Sequence, residues 1–343
     1  MNICFLCKPW DKMDVHNDAT LLLAHEAALR GHRVGIMSPG NLTIRGNVTY
    51  GACAILHKSE KVPESYATFH KKATFDNKRV PLNGFDTIFF RVEPPVDPML
   101  YYFLDSVKDD VFIINDVDGL KKANNKIYTT TFEDAHEYIP ETYVSKDVEY
   151  LESIIQETGE ERMILKPLDG FGGAGVILLE TKAKANVRSL LHFYVRGRDN
   201  EAKNYVILQR YVEGAEKGDV RILLLNGEPI GAMRRVPPQG DVRSNVSSGG
   251  TAEKHTLTKQ EKGLCKLIGR KLVSDGIYFA GLDVIGGKLI EVNVLCPGGI
   301  GRINKFNKVR LQKQVLDFAE LVNRKRDQLL KKKQEFRRAV EGD

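Results

Sequence analysis

The first 120 residues alternate short apolar runs with segments of helical periodicity. We predict strands over 3–7, 33–37, 86–91 and 111–115, and helices over 19–30 and 97–107. The first helix should begin after Asp18, whose side chain can cap it, and should end at Gly31. Since strands alternate with helices, this half is predicted to be an α/β domain with a doubly wound parallel sheet.

The pattern changes after Lys126. Further strands are predicted over 163–166, 176–180, 206–209, 220–225, 230–236, 279–285 and 288–294, with a helix over 259–274. Asn226-Gly227 is a typical turn between two strands of a hairpin. The second half is therefore predicted to be an α+β fold rich in antiparallel pairs.

The composition is that of a soluble globular protein, since 42% of the 343 residues are hydrophobic and 28% are charged. It excludes a disordered chain, a collagen-like fibre and a small disulfide scaffold. No apolar run approaches the ~18–20 residues of a membrane span. The first residues carry no charged leader before their apolar stretch, so we expect a strand there and not a signal peptide.

The basic excess is concentrated near the end of the sequence. Residues 322–343 contain eight Lys/Arg and four Asp/Glu, which supply +4 of the formal net charge of +6. A nucleic-acid-binding protein would carry its charge on the folded body. A solvated helix is therefore the preferred interpretation, with nucleic-acid binding through this segment as an alternative.

The five cysteines are irregularly spaced and odd in number, which favours a reducing, cytoplasmic location. Cys4 and Cys7 form a C-x-x-C motif. Residues three apart on a strand point to opposite faces, however, so we expect buried structural cysteines and not a metal or redox site.

A glycine-rich loop joins two predicted strands. Four glycines lie within the nine residues that follow Lys166: Gly170, Gly172, Gly173 and Gly175. Glycines let a backbone fold closely over an anion and point N–H groups at phosphate. No G-x-x-x-x-G-K-[ST] motif is present and no helix follows, unlike the common nucleotide motifs. The loop is interpreted as a flap over a triphosphate with Lys166 on an oxygen; a surface hairpin is the alternative.

Three oxygen-bearing side chains fall on a predicted hairpin: Asp283, Glu291 and Asn293. A two-residue turn at 286–287 would pair Asp283 with Ile290, whereas a three-residue turn over 286–288 pairs it with Glu291. We predict the three-residue turn, because it brings the three oxygens to one face. Such hard donors suit Mg²⁺ shared with substrate phosphates. An exposed strand face with scattered polar groups is the alternative.

A lysine strand, a glycine flap and a late D…E-x-N hairpin together resemble the ATP-grasp superfamily of carboxylate–amine ligases. The order of segments resembles bacterial-type glutathione synthetases as far as about Asn304. The segments that carry the resemblance are FRVEPPVD (90–97), ILKPLDGFGGA (164–174), QRYV (209–212), GDVR (218–221), NGEP (226–229), RVPPQGDVRSN (235–245), GG (249–250), GLDVIG (281–286) and EVN (291–293).

The resemblance implies four parts: an N-terminal doubly wound, pre-ATP-grasp domain (1–121), an ATP-grasp lid domain (122–203), a C-terminal ATP-grasp domain (204–322) and a basic helical tail (323–343). In that family, ATP activates γ-glutamylcysteine as an acyl phosphate, and glycine attacks it to give glutathione, ADP and phosphate. The implied cofactors are ATP and Mg²⁺, with Mn²⁺ as an alternative. The implied partners are these small molecules and a second copy in a homo-oligomer, with no nucleic acid and no membrane.

The resemblance also implies a role for each matching residue. The catalytic residues would be Arg221 and Arg235. Those that bind ATP would be Lys126, Lys166, Gly170, Gly172, Gly173, Gln209, Tyr211, Val212 and Asp219. The metal ligands would be Asp283, Glu291 and Asn293. Those near the other substrates would be Asp18, Arg91, Arg243, Asn245, Gly298 and Gly299. Residues 237–250 could form a second lid, and Asp18 could serve only as a helix cap.

The chain departs from the family pattern at residues 294–301. The family follows its metal-binding asparagine with a Thr-Ser-Pro-Thr type of loop, whereas this chain has VLCPGGIG. Because that loop would contact the dipeptide, another ATP-grasp dipeptide or amino-acid ligase is the first alternative. A non-catalytic ATP-binding module is the second. A nicotinamide oxidoreductase is disfavoured, since no G-x-G-x-x-G follows the first strand.

Overall fold

The computed structural model describes residues 1–58, 61–168, 173–196, 204–238 and 250–341. The chain divides into two compact units. The first contains Met1–Lys121, Gly276–Phe279 and Leu295–Asp343, and the second contains Lys122–Asp275 and Ala280–Val294. None of the helices in the described ranges is both long and apolar enough to cross a membrane.

The strands are β1 (Asn2–Cys7), β2 (Arg33–Arg45), β3 (Val48–Leu56), β4 (Phe75–Pro81), β5 (Thr87–Arg91), β6 (Phe112–Ile114), β7 (Thr142–Ser145), β8 (Arg162–Pro167), β9 (Ile177–Glu180), β10 (Val206–Arg210), β11 (Asp219–Leu225), β12 (Glu228–Val236), β13 (Thr251–Lys254), β14 (Phe279–Ile285) and β15 (Lys288–Asn293). The helices are α1 (Ala19–Leu29), α2 (Tyr66–Lys72), α3 (Met99–Asp105), α4 (Val117–Ala123), α5 (Val148–Thr158), α6 (Lys184–Arg196), α7 (Lys259–Ser274), α8 (Ile300–Asn307) and α9 (Leu311–Glu341).

The first unit is built on a six-stranded sheet of order β4-β3-β2-β1-β5-β6. Strands β2, β1, β5 and β6 are parallel, as predicted. Strands β3 and β4 extend the sheet in antiparallel fashion and were not predicted. The turn between β2 and β3 is Gly46-Asn47, and both residues have positive φ, which is the conformation that a tight hairpin requires.

Helix α1 is buried against this sheet along most of its length. Asp18 caps it as predicted, since its Oδ1 accepts hydrogen bonds from the N–H groups of Thr20 (2.8 Å) and Leu21 (3.4 Å). Gly31 follows the helix with φ +77°, which a residue with a side chain rarely adopts. At the same end, Arg30 holds α9 through ion pairs with Asp317 and Glu320.

The second unit contains two antiparallel sheets, as predicted for the second half of the chain. Their orders are β7-β10-β8-β9 and β13-β12-β11-β14-β15. Helices α5 and α6 pack on the first sheet through an apolar cluster that includes Leu151, Leu165 and Leu191. The predicted hairpin turn at Asn226-Gly227 is confirmed, because Leu225 pairs with Glu228 and both turn residues have positive φ.

The predicted three-residue turn between β14 and β15 is wrong. Ile285 pairs with Lys288, so the turn consists of Gly286 and Gly287, with φ of 54° and 77°. A β-bulge restores the predicted register, because Asp283 pairs with Glu291 while Val284 pairs with Leu289. One extra residue on β15 is absorbed there. The pairing of Asp283 with Glu291 is therefore confirmed, although the bulge causes it and not the turn.

Candidate active site

In the second unit, two carboxylates and two guanidinium groups alternate across one face of the sheet β13-β12-β11-β14-β15. Arg221 reaches Asp283 with Nε at 2.5 Å from Oδ1 and Nη2 at 2.9 Å from Oδ2. Arg235 lies 2.9 Å from Asp283 Oδ2 through Nη2. It also binds Asp219, its cross-strand neighbour, with Nε at 2.7 Å from Oδ1 and Nη2 on Oδ2. All four side chains are buried, so the charges neutralise one another within the sheet.

The two guanidinium groups fix the ionisation of Asp283. Burial alone would raise its pKa, but the charges and hydrogen bonds of Arg221 and Arg235 lower the pKa of Asp283 to about 2. Asp283 is therefore a permanent anion near neutral pH.

Asn293 and Glu291 lie beside this group. Asn293 Nδ2 donates to Asp283 Oδ2 at 3.1 Å, which leaves the amide oxygen of Asn293 available as an acceptor. In the described part of the chain, no hydrogen bond or ion pair reaches the half-buried Glu291. Burial raises the pKa of Glu291, the charge of Asp283 raises it further, and the charges of Lys126 and Lys166 oppose that rise. Glu291 is thus an unpaired acid in a site that favours a cation.

The donor set fits a divalent cation. Asp283 Oδ2 accepts hydrogen bonds from Arg221 and Asn293 and lies 2.9 Å from Arg235 Nη2, whereas Oδ1 accepts one hydrogen bond and keeps a lone pair. With the Glu291 carboxylate and the Asn293 amide oxygen, this gives three hard oxygen donors on one strand face. The described residues contain no cluster of three His, Cys, Asp or Glu that could hold a metal ion without the amide.

Lys166 is a buried cation with a neutral partner. Its Nζ donates to Gln209 Oε1 at 2.9 Å, and Gln209 in turn donates to Thr142. Burial lowers the pKa of Lys166 to about 8; Lys126 contributes to the decrease and Glu291 opposes it. Lys126 Nζ donates to the carbonyl oxygen of Pro167 at 3.0 Å. Two ammonium groups therefore lie near Glu291 at the end of β8.

The other predicted ATP-binding residues are placed less uniformly. Arg162 lies over the Tyr211 ring, 4.2 Å from its centroid. Val212 lies against the β14–β15 turn, since a Cβ on Gly286 would come within 3.2 Å of its side chain. Gly173 has φ +79°. The carboxylate of Asp219, predicted to reach a ribose, is bonded to Arg235. Outside the described residues lie Gly170, Gly172, Arg243, Asn245 and most of the predicted second lid.

The remaining predicted substrate residues belong to the first unit. Arg91 ends β5 and is 3% exposed. Its Nε donates to Thr20 Oγ1 and its Nη2 to the carbonyl oxygen of Pro297. Its buried Nη1 has no partner among the described residues. Gly298 follows Pro297, and Gly299 precedes α8 with φ +112°. Arg91 is therefore a buried cation with a free donor at the carboxyl end of a central strand, where α/β sheets commonly bind ligands.

Sequence reasoning missed Lys8. Its ammonium group lies 3.0 Å from Asp18 and 3.1 Å from Glu93, so it joins the ends of β1 and β5. A cation directly after the first strand was a signal for this position, because parallel strands present their carboxyl ends at the same edge.

Two family models match the chain. The N-terminal domain of prokaryotic glutathione synthetase matches residues 1–121, and the ATP-grasp domain of the same family matches residues 125–308. The chain belongs to the prokaryotic glutathione synthetase family. The resemblance and the fold class predicted from sequence are thereby confirmed, as is the class of enzyme, an ATP-dependent carboxylate–amine ligase.

Glutathione synthetases of other organisms align with this chain over nearly their whole length. The glutathione synthetase of Nostoc sp. is 34% identical over 330 residues, covering 93% of this chain and 98% of the relative. That of Gloeobacter violaceus is 34% identical over 333 residues, covering 93% and 96%.

Solved structures of lower sequence identity share the fold. The RimK domain ATP-grasp protein of Sphaerobacter thermophilus is similar with a TM-score of 0.60 at 15% identity, covering 93% of this chain and 99% of that one. The D-alanine-D-alanine ligase of Coxiella burnetii is similar with a TM-score of 0.58 at 11% identity, covering all of both chains.

Proposed function

We propose that this enzyme joins γ-glutamylcysteine to glycine through an acyl phosphate. ATP-dependent glutathione synthesis follows from the family; the two substrates, the intermediate and the residue roles are the proposal. The observation that carries it concerns two groups that lie near each other: among the described residues, the buried cation Lys166 has no anionic partner and the acid Glu291 has no cationic hydrogen-bond partner. A triphosphate with its divalent cation would satisfy both.

Nucleotide binding is assigned to the lysines and the metal to the hairpin. ATP-grasp ligases use ATP, and Lys126 and Lys166 would hold its phosphates. Glu291, Asn293 and the free lone pair of Asp283 would hold Mg²⁺, which neutralises charge on the transferred phosphoryl group. The glycine loop would exclude water, because an acyl phosphate hydrolyses when water reaches it.

The arginines would stabilise charge during transfer. In the first step, a carboxylate oxygen of the dipeptide attacks the γ-phosphorus and the bond to ADP breaks. In the second, the glycine amine attacks the acyl carbon, phosphate leaves and the amine loses a proton. Arg221 and Arg235 are already oriented by Asp283 and Asp219, so they would meet the developing charge without reorganisation.

The first unit would recognise the amino-acid end of the dipeptide. The free Nη1 of Arg91 suits the α-carboxylate of the glutamyl group, and Asp18 suits its α-ammonium group. The loop that contains Gly298 and Gly299 departs from the family pattern. That departure keeps another ATP-grasp dipeptide or amino-acid ligase as the second candidate.

An assay of ADP release tests the proposal. γ-Glutamylcysteine with glycine should give ADP and glutathione in equal amounts, and either substrate alone should give neither. Activity with other donor–acceptor pairs but none with this pair would establish the second candidate. No ADP release with any pair, together with retained ATP binding, would leave an ATP-binding module.

A reducing compartment fits the thiols. All five cysteines are free, and Cys4, Cys7, Cys53 and Cys265 are buried. We therefore assign the enzyme to the cytoplasm, where such thiols stay reduced.

A further inference from the structure

Helix α9 extends well past the core that holds it. Over its first part, Leu311, Val315 and Ala319 are buried in the first unit. Asn323 makes the last buried contact, through a hydrogen bond from Nδ2 to Thr87 Oγ1 at 2.6 Å. Arg326 then donates to the carbonyl oxygen of Asp109. The residues after Arg326 are all exposed as far as the end of the helix at Glu341, a length of about 22 Å.

Large apolar side chains continue along this exposed part. Leu329 is 68%, Leu330 61%, Phe336 60% and Val340 87% exposed. Leu329, Phe336 and Val340 are spaced by seven and four residues, so they lie on one side of the helix, in line with the buried Val315. The face that packs on the core therefore continues along the exposed part of the helix, where no described residue covers it.

The same part of the helix is strongly basic. Residues 324–341 contain eight Lys/Arg and three Asp/Glu, a difference of +5. In the described part of the chain, no ion pair within 4 Å reaches any of these eight side chains. Lys333 lies within the apolar stripe itself, four residues after Leu329 and three before Phe336.

We propose that residues 324–341 of α9 form a docking surface for the headgroup region of an anionic lipid bilayer. A basic helix with leucine and phenylalanine on one side lies in the membrane interface, with its apolar residues among the acyl chains and its lysines reaching the phosphates. This surface lies beyond both family matches. It revises the expectation of no membrane partner, because an apolar stripe beside basic residues suits a membrane surface even where no helix spans the bilayer.

Two other occupants explain less of the surface. A second copy of the helix would bring together two segments of charge +5, with Lys333 in the seam where coiled coils need apolar residues. A nucleic acid would use the basic residues but would leave Leu329, Phe336 and Val340 without a role. An anionic bilayer uses both properties at once.

Flotation of the full chain with vesicles tests the proposal. The probes are phosphatidylcholine vesicles with and without about 30 mol% phosphatidylserine. Three variants separate the contributions: K331Q/K332Q/K333Q removes charge, L329Q/L330Q/F336Q removes apolar area, and K58Q/K71Q/K72Q removes three exposed lysines of the first unit as a matched control. Ligase activity without vesicles shows that each variant is folded.

We expect binding only to the anionic vesicles, at least about tenfold weaker in each helix variant and unchanged in the control. The difference in vesicle binding between the parent and the lysine variant should shrink at higher salt, because salt screens the lysine charges of the parent. Absence of binding to anionic vesicles would overturn the proposal, as would binding that the apolar variant leaves unchanged. The chain could instead fail to bind vesicles but bind DNA or RNA, or form a dimer that the apolar variant abolishes. Either result would assign the surface to that occupant.

Discussion

Arg221 donates hydrogen bonds to both carboxylate oxygens of Asp283, which pairs directly with Glu291 on the next strand. The two acids differ in one respect, because Asp283 is neutralised by guanidinium groups and Glu291 has no such partner among the described residues. One acid therefore supports the fold, and both are proposed to bind the metal.

Substitution of these two acids should separate stability from catalysis. D283N leaves the buried guanidinium groups of Arg221 and Arg235 with a single carboxylate, that of Asp219. We therefore expect a loss of about 3–5 kcal/mol in unfolding free energy together with loss of activity. E291Q breaks no ion pair among the described residues, so its stability should match or exceed that of the parent while ADP release falls about 100-fold or more. Urea unfolding and the ligase assay measure the two effects. An E291Q variant as unstable as D283N would contradict the assignment.

Binding of ATP should take up a proton at Lys166. The pKa of Lys166 is about 8 in the folded protein without nucleotide, and an anion beside it would raise that pKa. Near pH 8 we therefore expect uptake of about half a proton per ATP, falling towards zero below about pH 6.5, where the lysine is already charged. Calorimetry in buffers of different ionisation enthalpy measures this uptake.

The same pKa has a consequence for stability. Because the folded pKa of Lys166 lies below the usual 10.5, the charged form is disfavoured by folding, and the penalty is present below about pH 8 and is relieved between about pH 8 and 10.5. K166M should therefore raise unfolding free energy at pH 7, by up to about 3 kcal/mol, while abolishing the proton uptake. K182M, which removes an exposed lysine of the same unit, serves as the control. Undiminished uptake in K166M would show that another group takes the proton.

In the candidate site, the sequence specifies which side chains share a strand face but not how neighbouring strands pair. The spacing of Glu291 and Asn293 fixes their common face, because side chains on a strand alternate. The path by which Asp283 joins them depends on a β-bulge, and either turn length was compatible with the two glycines at 286–287. The binding partner of Asp219 was equally hidden, since its pairing with Arg235 follows from the register of β11 against β12.

The first unit shows a similar division. Strong alternation of apolar strands with helices predicted the parallel core around β1. Strand β3 was missed because its sequence, VTYGACAIL, offers little contrast between buried and exposed positions. Lys8 was missed because its partners, Asp18 and Glu93, are distant in sequence and come close to it only in the folded unit.

Arg91 should control affinity for the dipeptide. Its free Nη1 lies in a planar group that an ammonium cannot reproduce. We expect R91K to raise the KM for γ-glutamylcysteine about tenfold or more, with smaller effects on kcat and on the KM for ATP. R79K, at an exposed arginine of β4, should change none of these constants. A uniform fall in kcat with unchanged KM would assign Arg91 to packing around Thr20 and Pro297.

Asp18 poses a sharper question, because it caps α1 whether or not it also binds substrate. Asparagine caps a helix as well as aspartate does, whereas alanine cannot, so D18A should lose about 1 kcal/mol of unfolding free energy. D18N should lose less, limited to its partly buried ion pair with Lys8. If the carboxylate holds the ammonium group of the dipeptide, both variants should raise the KM for γ-glutamylcysteine alike. Asp147 caps α5 by the same two hydrogen bonds, so D147A should reproduce the loss of the cap, and neither D147A nor D147N should change the KM. A KM that rises in D18A but not in D18N would reduce Asp18 to its role as a cap, since only the loss of helix geometry would then disturb the site.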